Sequence, residues 1–388
     1  MSKVTRMLFV GDISLGGEYA SQCQTDSPKW IKPFLDLKPI FDEADICIGN
    51  LESPLFLSPT PQCKRNSLST LPDAIEVLSF LKFSALSLAN NHITDQGSEG
   101  IAKTCDLLDD RGISHFGAGM NLDAALQPTF IHVKGNTFAF LGYIEETSEV
   151  GAKSAKESQY GCTPLSLECI AKDIAAIRDM ASHIIISLHW GYQFDLYPEP
   201  RQLELARQII DLGALIVHGH HPHVVQGMER YRNGLILYSL GNFFFPNFKR
   251  TDGCWFRFPR ESRRTAAVQC EVGNDGVLSV SQVPLLIDSN YRIRVLKGKP
   301  AIRAIAELNR RSSLINSVEY RNLWSIHHKK TKAKRARKEI ALLLCGGINK
   351  VIRLIRKDGL AAFVMQLRMH HFISIFHKFR DFCRQKHS

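Results

Sequence analysis

Over its first 290 or so residues the chain alternates short apolar, β-branched runs with longer segments of helical period, a pattern that few folds accommodate. RMLFVGD (6–12), ADICIGN (44–50), FSALSLAN (83–90), TFAFLGY (137–143), HIIISLHW (183–190), ALIVHGH (214–220), LILYSLGN (235–242) and AAVQCEVG (266–273) read as strands. Residues 31–43, 72–82, 96–112, 166–182 and 199–213 read as amphipathic helices. In the last, Pro200 stands near the start, Leu203, Leu205, Ile209 and Ile210 recur at helical spacing, and Gly213 closes the segment. Such alternation implies an α/β protein with a largely parallel sheet covered on both faces. Near residue 290 the spacing turns to that of a β-hairpin, with GNDG at 273–276 as its turn. Two stretches fit no element: a Pro/Ser-rich loop at 57–72 and a basic, aromatic loop at 246–264.

The residues that follow the strands carry the chemistry. Asp12 follows the first run, Asn50 and Glu52 the second, and Asn90-Asn91-His92 the third. His189-Trp190-Gly191, the cluster His218, His220, His221 and His223, and Gly241-Asn242 follow later runs. In open parallel sheets ligands bind outside the carboxyl ends of the strands, so these side chains are brought to one rim. Imidazole suits Zn, Fe, Mn or Ni, while carboxylate and amide oxygens suit harder ions. A shared carboxylate with several histidines and an Asn fits two divalent ions, which together acidify a water and stabilise both oxygens in phosphoryl transfer. Plainer roles stand beside these. Asn90 and Asn50 suit backbone turns, His218 alternates away from the rim, and Asn242 suits a turn as well as a site. The run FFFPNF (243–248) reads equally as core or as an aromatic wall.

Seven motifs occur in one order: GDISLGG, GNLESPL, SLANNHITDQG, HFGAG, SLHWGYQF, GHHPHVVQGMERY and LYSLGNFFF. In this set, from about residue 7 to about 290, the chain resembles the CapA family (bacterial capsule and poly-γ-glutamate synthesis) of the calcineurin-like metallophosphoesterase superfamily. The resemblance implies a four-layer αββα sandwich of metallo-dependent phosphatase type, with two metal ions (Mn, Fe or Zn) at the strand ends. By the same resemblance Asp12 is the first metal aspartate, Glu52 the bridging acid, and Asn91, His189, His221 and His223 further ligands, with His220 an extra or substitute one. His92 becomes the proton donor or charge stabiliser at the leaving group, oriented by Asp95. Asn50, Trp190, Gln193, Asn242, Lys64 and Arg65 are candidate substrate contacts. Position 14 is Ser where the superfamily motif Asp-x-His has His, and Gln193 stands where relatives commonly carry Glu.

Charge divides the chain. Residues 321–388 hold 17 Lys or Arg against 3 acids, and residues 1–320 hold 32 against 35. The expected division is a phosphatase-type domain at 1–298 and a basic, mostly helical extension at 299–388. Within 327–382 apolar residues recur at helical intervals among the bases, a pattern suited to an anionic membrane surface or a membrane synthase. No nucleic-acid partner is expected, because the body carries no basic stripe or reading module. The ten cysteines are scattered without C-x-x-C pairs and read as reduced. The apolar stretch after MSKVTR is too short for a signal sequence, and no run approaches the ~18 apolar residues of a membrane span. The expected location is cytoplasmic, peripheral to the membrane where the tail attaches. Two functions fit: a hydrolase acting on a phosphoester or an anionic polymer, and a non-catalytic capsule-assembly protein that keeps the inherited site.

Overall fold

The computed structural model describes residues 4–23, 27–57, 66–147, 151 and 153–337. Lys64, Arg65 and the tail beyond residue 337 lie outside the described residues. In the first sheet the parallel neighbours β1 (Thr5–Ile13), β2 (Ile46–Leu51), β3 (Ala85–Ser87) and β4 (Ser114–Phe116) follow one another. On the other side of β1 the strand Arg264–Gly273 pairs antiparallel, followed by Gly276–Ile287 and Ile293–Val295. The second sheet has four parallel strands at its centre: Asn136–Ile144, His183–His189, Ile216–His220 and Gly234–Leu237. Antiparallel edges, Thr129–Val133 and Met228–Tyr231, flank them.

Side-chain alternation shows how the layers stack. Met7 and Phe9 of β1 meet Phe138, Phe140, Ile185 and Ile216 of the second sheet in a core between the sheets. Leu8 and Val10 turn the other way, into a core with Trp30, Phe34 and Leu78 from the helical layer. Ile184, Ile186 and Leu188 pack outward on Ile170, Ile174, Leu203 and Ala206 of the helices Leu167–Ile177 and Pro200–Asp211. The architecture is helix, sheet, sheet, helix. This is the expected four-layer αββα arrangement, which strand pattern alone leaves open, since a strand buried on both sides reads the same whether a helix or a second sheet covers it.

Helix Pro200–Asp211 has Pro at its first turn, and Glu199 and Gln202 bond reciprocally to each other's backbone. The segment 31–43 is broken into Ser27–Ile31, a 3₁₀ turn Lys32–Leu37 and Lys38–Asp42. Pro33 and Pro39 explain the breaks, since each lacks an N–H and crowds the preceding turn. The basic, aromatic loop holds a short antiparallel pair, Phe248–Lys249 with Trp255–Phe256. The compact body runs as far as Lys329. Within it helix Gly298–Ile315 packs on the second sheet, where Ser312 accepts from the Met228 N–H at 3.0 Å and Ile315 joins the outer core. Among the described residues no helix is long and apolar enough to cross a membrane.

The carboxyl end of β1 crosses the 240–242 segment at very short range. The Asp12 N–H donates to the Gly241 carbonyl at 2.9 Å, and Asp12 lies in register with Asn242 of the strand Asn242–Phe244. A Cβ on Gly11 would stand 1.8 Å from that same carbonyl oxygen, so only glycine fits. Gly11→Ala should therefore destabilise by about 3 kcal/mol or more, the upper range of overpacking. Gly112→Ala, at φ +63° with nothing within 4 Å, should lose only ~1–2 kcal/mol. Denaturant unfolding of both variants measures this, and equal losses would refute the close-approach argument.

Candidate metal centre at the strand ends

Each strand places one or two polar side chains at the common rim. The strands end there in parallel register, with Asp12 beside Asn50 and His220 beside His189. Asp12, Glu52, Asn91, His92, His189, His220, His221, His223 and Asn242 are all 7% exposed or less. A ligand atom from each of Asp12, Glu52 and His223 lies within 4.8 Å of the others. His223 Nδ1 donates to Asn242 Oδ1 at 2.8 Å and lies 3.3 Å from Asp12 Oδ2. This assignment leaves Nε2 bare, 3.6 Å from Glu52 Oε1. Asn50 Nδ2 donates to Asp12 Oδ1 at 2.9 Å and reaches Glu52 Oε2 at 3.4 Å, holding the two acids side by side.

A second set of donors gathers around His189. Its Nε2 lies 3.0 Å from Asn91 Oδ1 and 3.1 Å from His221 Nδ1. The His221 N–H also donates to Asp12 Oδ2 at 3.3 Å, which links the two groups. His220 turns Nδ1 toward Asp12 Oδ1 at 3.3 Å, while its Nε2 pairs with the Ser187 hydroxyl at 3.0 Å. Next to these ligands, His92 Nδ1 donates to Asp95 Oδ2 at 2.6 Å, and the Leu68 N–H donates to the same oxygen at 2.8 Å. His221 and His223 sit at φ +95° and +56°, left-handed conformations that non-glycine residues adopt under constraint and that cluster at functional sites.

Burial raises the Glu52 carboxyl well above the usual carboxylate range, and the Asp12 and Asp95 charges add to it. Burial pushes Asp12 the same way, but the His220 and His223 contacts outweigh it and hold Asp12 well below that range. Burial, then the neighbouring His221, keeps His189 far below the ordinary imidazole value, so it stays neutral with one ring nitrogen bare. The donor set fits a divalent cation. Glu52 Oε1 and His189 Nδ1 are buried without a hydrogen-bond partner. Among the described residues the ion-pair partners of Asp12 and Glu52 are histidines alone.

The structure brings all seven expected ligands together, with His92 and Asp95 alongside. Asn90 is a turn brace: its Oδ1 accepts the His92 and Ile93 N–H groups, and its Nδ2 donates to Asn50 Oδ1 and the Leu51 carbonyl. Asn50 orients the acids rather than facing a substrate. Trp190 is corrected as a substrate contact. It alternates away from His189 into the outer core, 1% exposed, with Nε1 donating to the Tyr238 carbonyl at 3.3 Å. Gln193 is half-buried on the following loop, and Asn242 lies inside the site against His223. Of the aromatic run, Phe243 and Phe244 are core, while Phe245 stands 5.1 Å from the His223 ring.

Sequence reasoning missed Glu145. This buried acid accepts the Gly191 N–H at 2.8 Å, its own N–H donates to the His189 carbonyl at 3.0 Å, and it pairs with Arg201. Its place two residues after TFAFLGY, at one more strand end, was the available signal.

A family model described as bacterial capsule synthesis protein PGA_cap matches residues 6–247. The chain is 29% identical to the capsule biosynthesis protein CapA of Bacillus anthracis, over 86% of this chain and 78% of that protein. It is 32% identical to the PGA biosynthesis protein CapA of Bacillus subtilis, over 80% of this chain and 79% of that one. Among solved structures, the NAD nucleotidase of Haemophilus influenzae superposes with a TM-score of 0.41 at 13% identity, over 86% of this chain and 60% of that one.

The crowded acids predict a pH effect in protein stripped of metal by a chelator. Unfolded Glu52 ionises near its ordinary value, whereas folded Glu52 keeps its proton to higher pH, so its contribution to stability falls as pH rises between the two. Glu52→Gln removes that loss. At pH 8 the stripped variant should be more stable than stripped wild type, and the gap should narrow toward pH 5. Urea unfolding at both pH values decides it, and a less stable variant at pH 8 would contradict the electrostatic account.

Proposed function

The chain belongs to the PGA_cap family of bacterial capsule synthesis proteins, and from that premise we propose that it is a metal-dependent hydrolase of phosphoester type serving the synthesis of an anionic surface polymer. The observation that carries the reading is the convergence of five buried nitrogen and oxygen ligands on two carboxylates whose ion-pair partners, among the described residues, are histidines. Asp12, Glu52 and His223 would hold one divalent cation, and Asn91, His189 and His221 a second. Bound there, such cations supply Lewis-acid chemistry, acidifying water and screening charge on a phosphoryl oxygen.

The protein's own residues do the rest. Asp95 fixes the His92 ring through Nδ1, so a proton carried at Nε2 is available to a leaving oxygen. Asn50 holds the two acids at one spacing, and Asn242 fixes the His223 tautomer with Nε2 turned inward. Glu145 braces the turn after His189, which keeps that imidazole aimed at Asn91. The basic tail would bring the body to an anionic membrane surface or a membrane synthase.

One feature favours a second reading, a non-catalytic assembly role. Position 14 offers a buried hydroxyl rather than an imidazole two residues after Asp12, with its N–H bound to the Phe244 carbonyl at 2.7 Å. The first ligand group therefore has three close members, and of these His220 meets Asp12 alone.

Elemental mass spectrometry should find two transition-metal ions per chain in the native protein and none in His221→Ala/His223→Ala. A single ion would mark the Ser14 group as the weaker half, and no metal in either protein would overturn the centre. His92→Ala should keep its metal and lose about 10²–10⁴ in turnover of phosphoesters. Undiminished polymer production by cells carrying only His92→Ala would assign the assembly role instead.

A further inference from the structure

Phenylalanines from separate segments close around the ligand His223. Phe245 and Phe258 stand edge-on to its imidazole at 5.1 and 5.3 Å between ring centres, and Phe194 lies at 6.3 Å. Phe258 touches Phe245 at 4.9 Å and Phe256 at 5.1 Å, while Phe194 stacks on Phe256 at 6.5 Å. Phe245, with Phe248 and Leu68, forms a buried floor. Phe194, Phe256 and Phe258 remain half-buried, so the rings form an open wall running out from the centre.

Both flanks of this wall are fixed by the scaffold. Phe194 sits at φ +66°, a conformation that bulky residues avoid unless the surroundings impose it. Its N–H donates to the carbonyl of Pro222, between the ligands His221 and His223, at 2.8 Å. The next residue is tied down twice, since the Asp195 carbonyl accepts from Gln226 at 2.8 Å and its carboxylate accepts from His328 at 2.5 Å. On the other flank the Phe258 N–H donates to Asn247 Oδ1 at 3.1 Å, and Asn247 in turn donates to Glu18 at 3.2 Å.

We infer that these rings form an apolar subsite that receives the carbon substituent, aryl or alkyl, of an anionic substrate whose reacting group sits at the Asp12–Glu52–His223 centre. The inference rests on the hydrolase reading of that centre. Phenyl side chains offer no hydrogen bonds, so a hydroxylated substituent would be desolvated against them without compensation, whereas a carbon-rich one is drawn in. Contact with a ligand histidine places the wall beside the reacting group.

The test is calorimetric titration of the full chain, loaded with Mn²⁺ and counted for metal by elemental analysis, with phenylphosphonate and with methylphosphonate. Wild type should bind the phenyl compound at least about tenfold more tightly, as expected for burying one ring. Phe194→Ala and, as the milder change, Phe258→Leu should bring that ratio to within about threefold of one. A purely structural role for the rings would shift stability and leave the ratio alone. Equal affinities in wild type, a ratio that survives both variants, or metal-loaded protein that binds neither compound would each overturn the subsite. Failure to take up metal would bring down the hydrolase reading, and this inference with it, and the elemental count separates that outcome from the others.

Discussion

Asp12 and Glu52 are buried completely within reach of the same imidazole, and much of the architecture answers to that pair. Two like charges in a low-dielectric interior cannot both ionise without compensation. The fold supplies it by supporting the two acids differently. Asp12 receives the His221 N–H, an Asn50 amide and two histidine rings, while Glu52 keeps one oxygen without a hydrogen bond. One acid is thus stabilised as an anion and the other is left as a reservoir of unmet ligand capacity. A cation would meet both needs at once, and on that ground these acids are the candidate centre.

Holding that pair requires the two sheets to meet at the strand ends. β1 must pass within one hydrogen bond of Gly241 so that Asp12 and Asn242 lie in register, and no side chain fits between. The same contact brings Asn242 against His223, and His223 against Glu52. Strain at His221 and His223 follows, because a short turn after Ile216–His220 must aim two imidazoles at ligands from the other sheet. The site is therefore a property of the sheet-to-sheet junction, and neither sheet carries it alone.

This division explains what could be read from the sequence. The strands were legible because their apolar runs are short and end abruptly in polar residues, and all seven candidate ligands lie within two or three residues of such an end. Two-sheet stacking was not legible from periodicity, since Met7 and Leu8 look alike whether they face a sheet or a helix. Only the ordered motifs carried that information. Trp190 was misplaced because adjacency to His189 in sequence means opposite faces in a strand. Of the aromatic wall only Phe194 escaped notice, because loop residues obey no period. The helix at 31–43 failed for the opposite reason: Pro33 and Pro39 were visible, and local chemistry prevailed over the apolar pattern.

The loop after His189 ties these layers together. Glu145 fixes it from the second sheet, Gln226 from the segment beyond the histidine turn, and Tyr320 donates to the Pro198 carbonyl at 2.6 Å. His328 completes the set through Asp195, with its ring 4.5 Å from Tyr192 and stacked at 4.8 Å on Trp324. Residues 320, 324 and 328 share one helix face by spacing, so the helix turns a polar and aromatic stripe to the loop. Lys329 and Lys330 follow at once, exposed, at the start of the basic run. The last residues that brace this loop are thus covalent neighbours of the basic run.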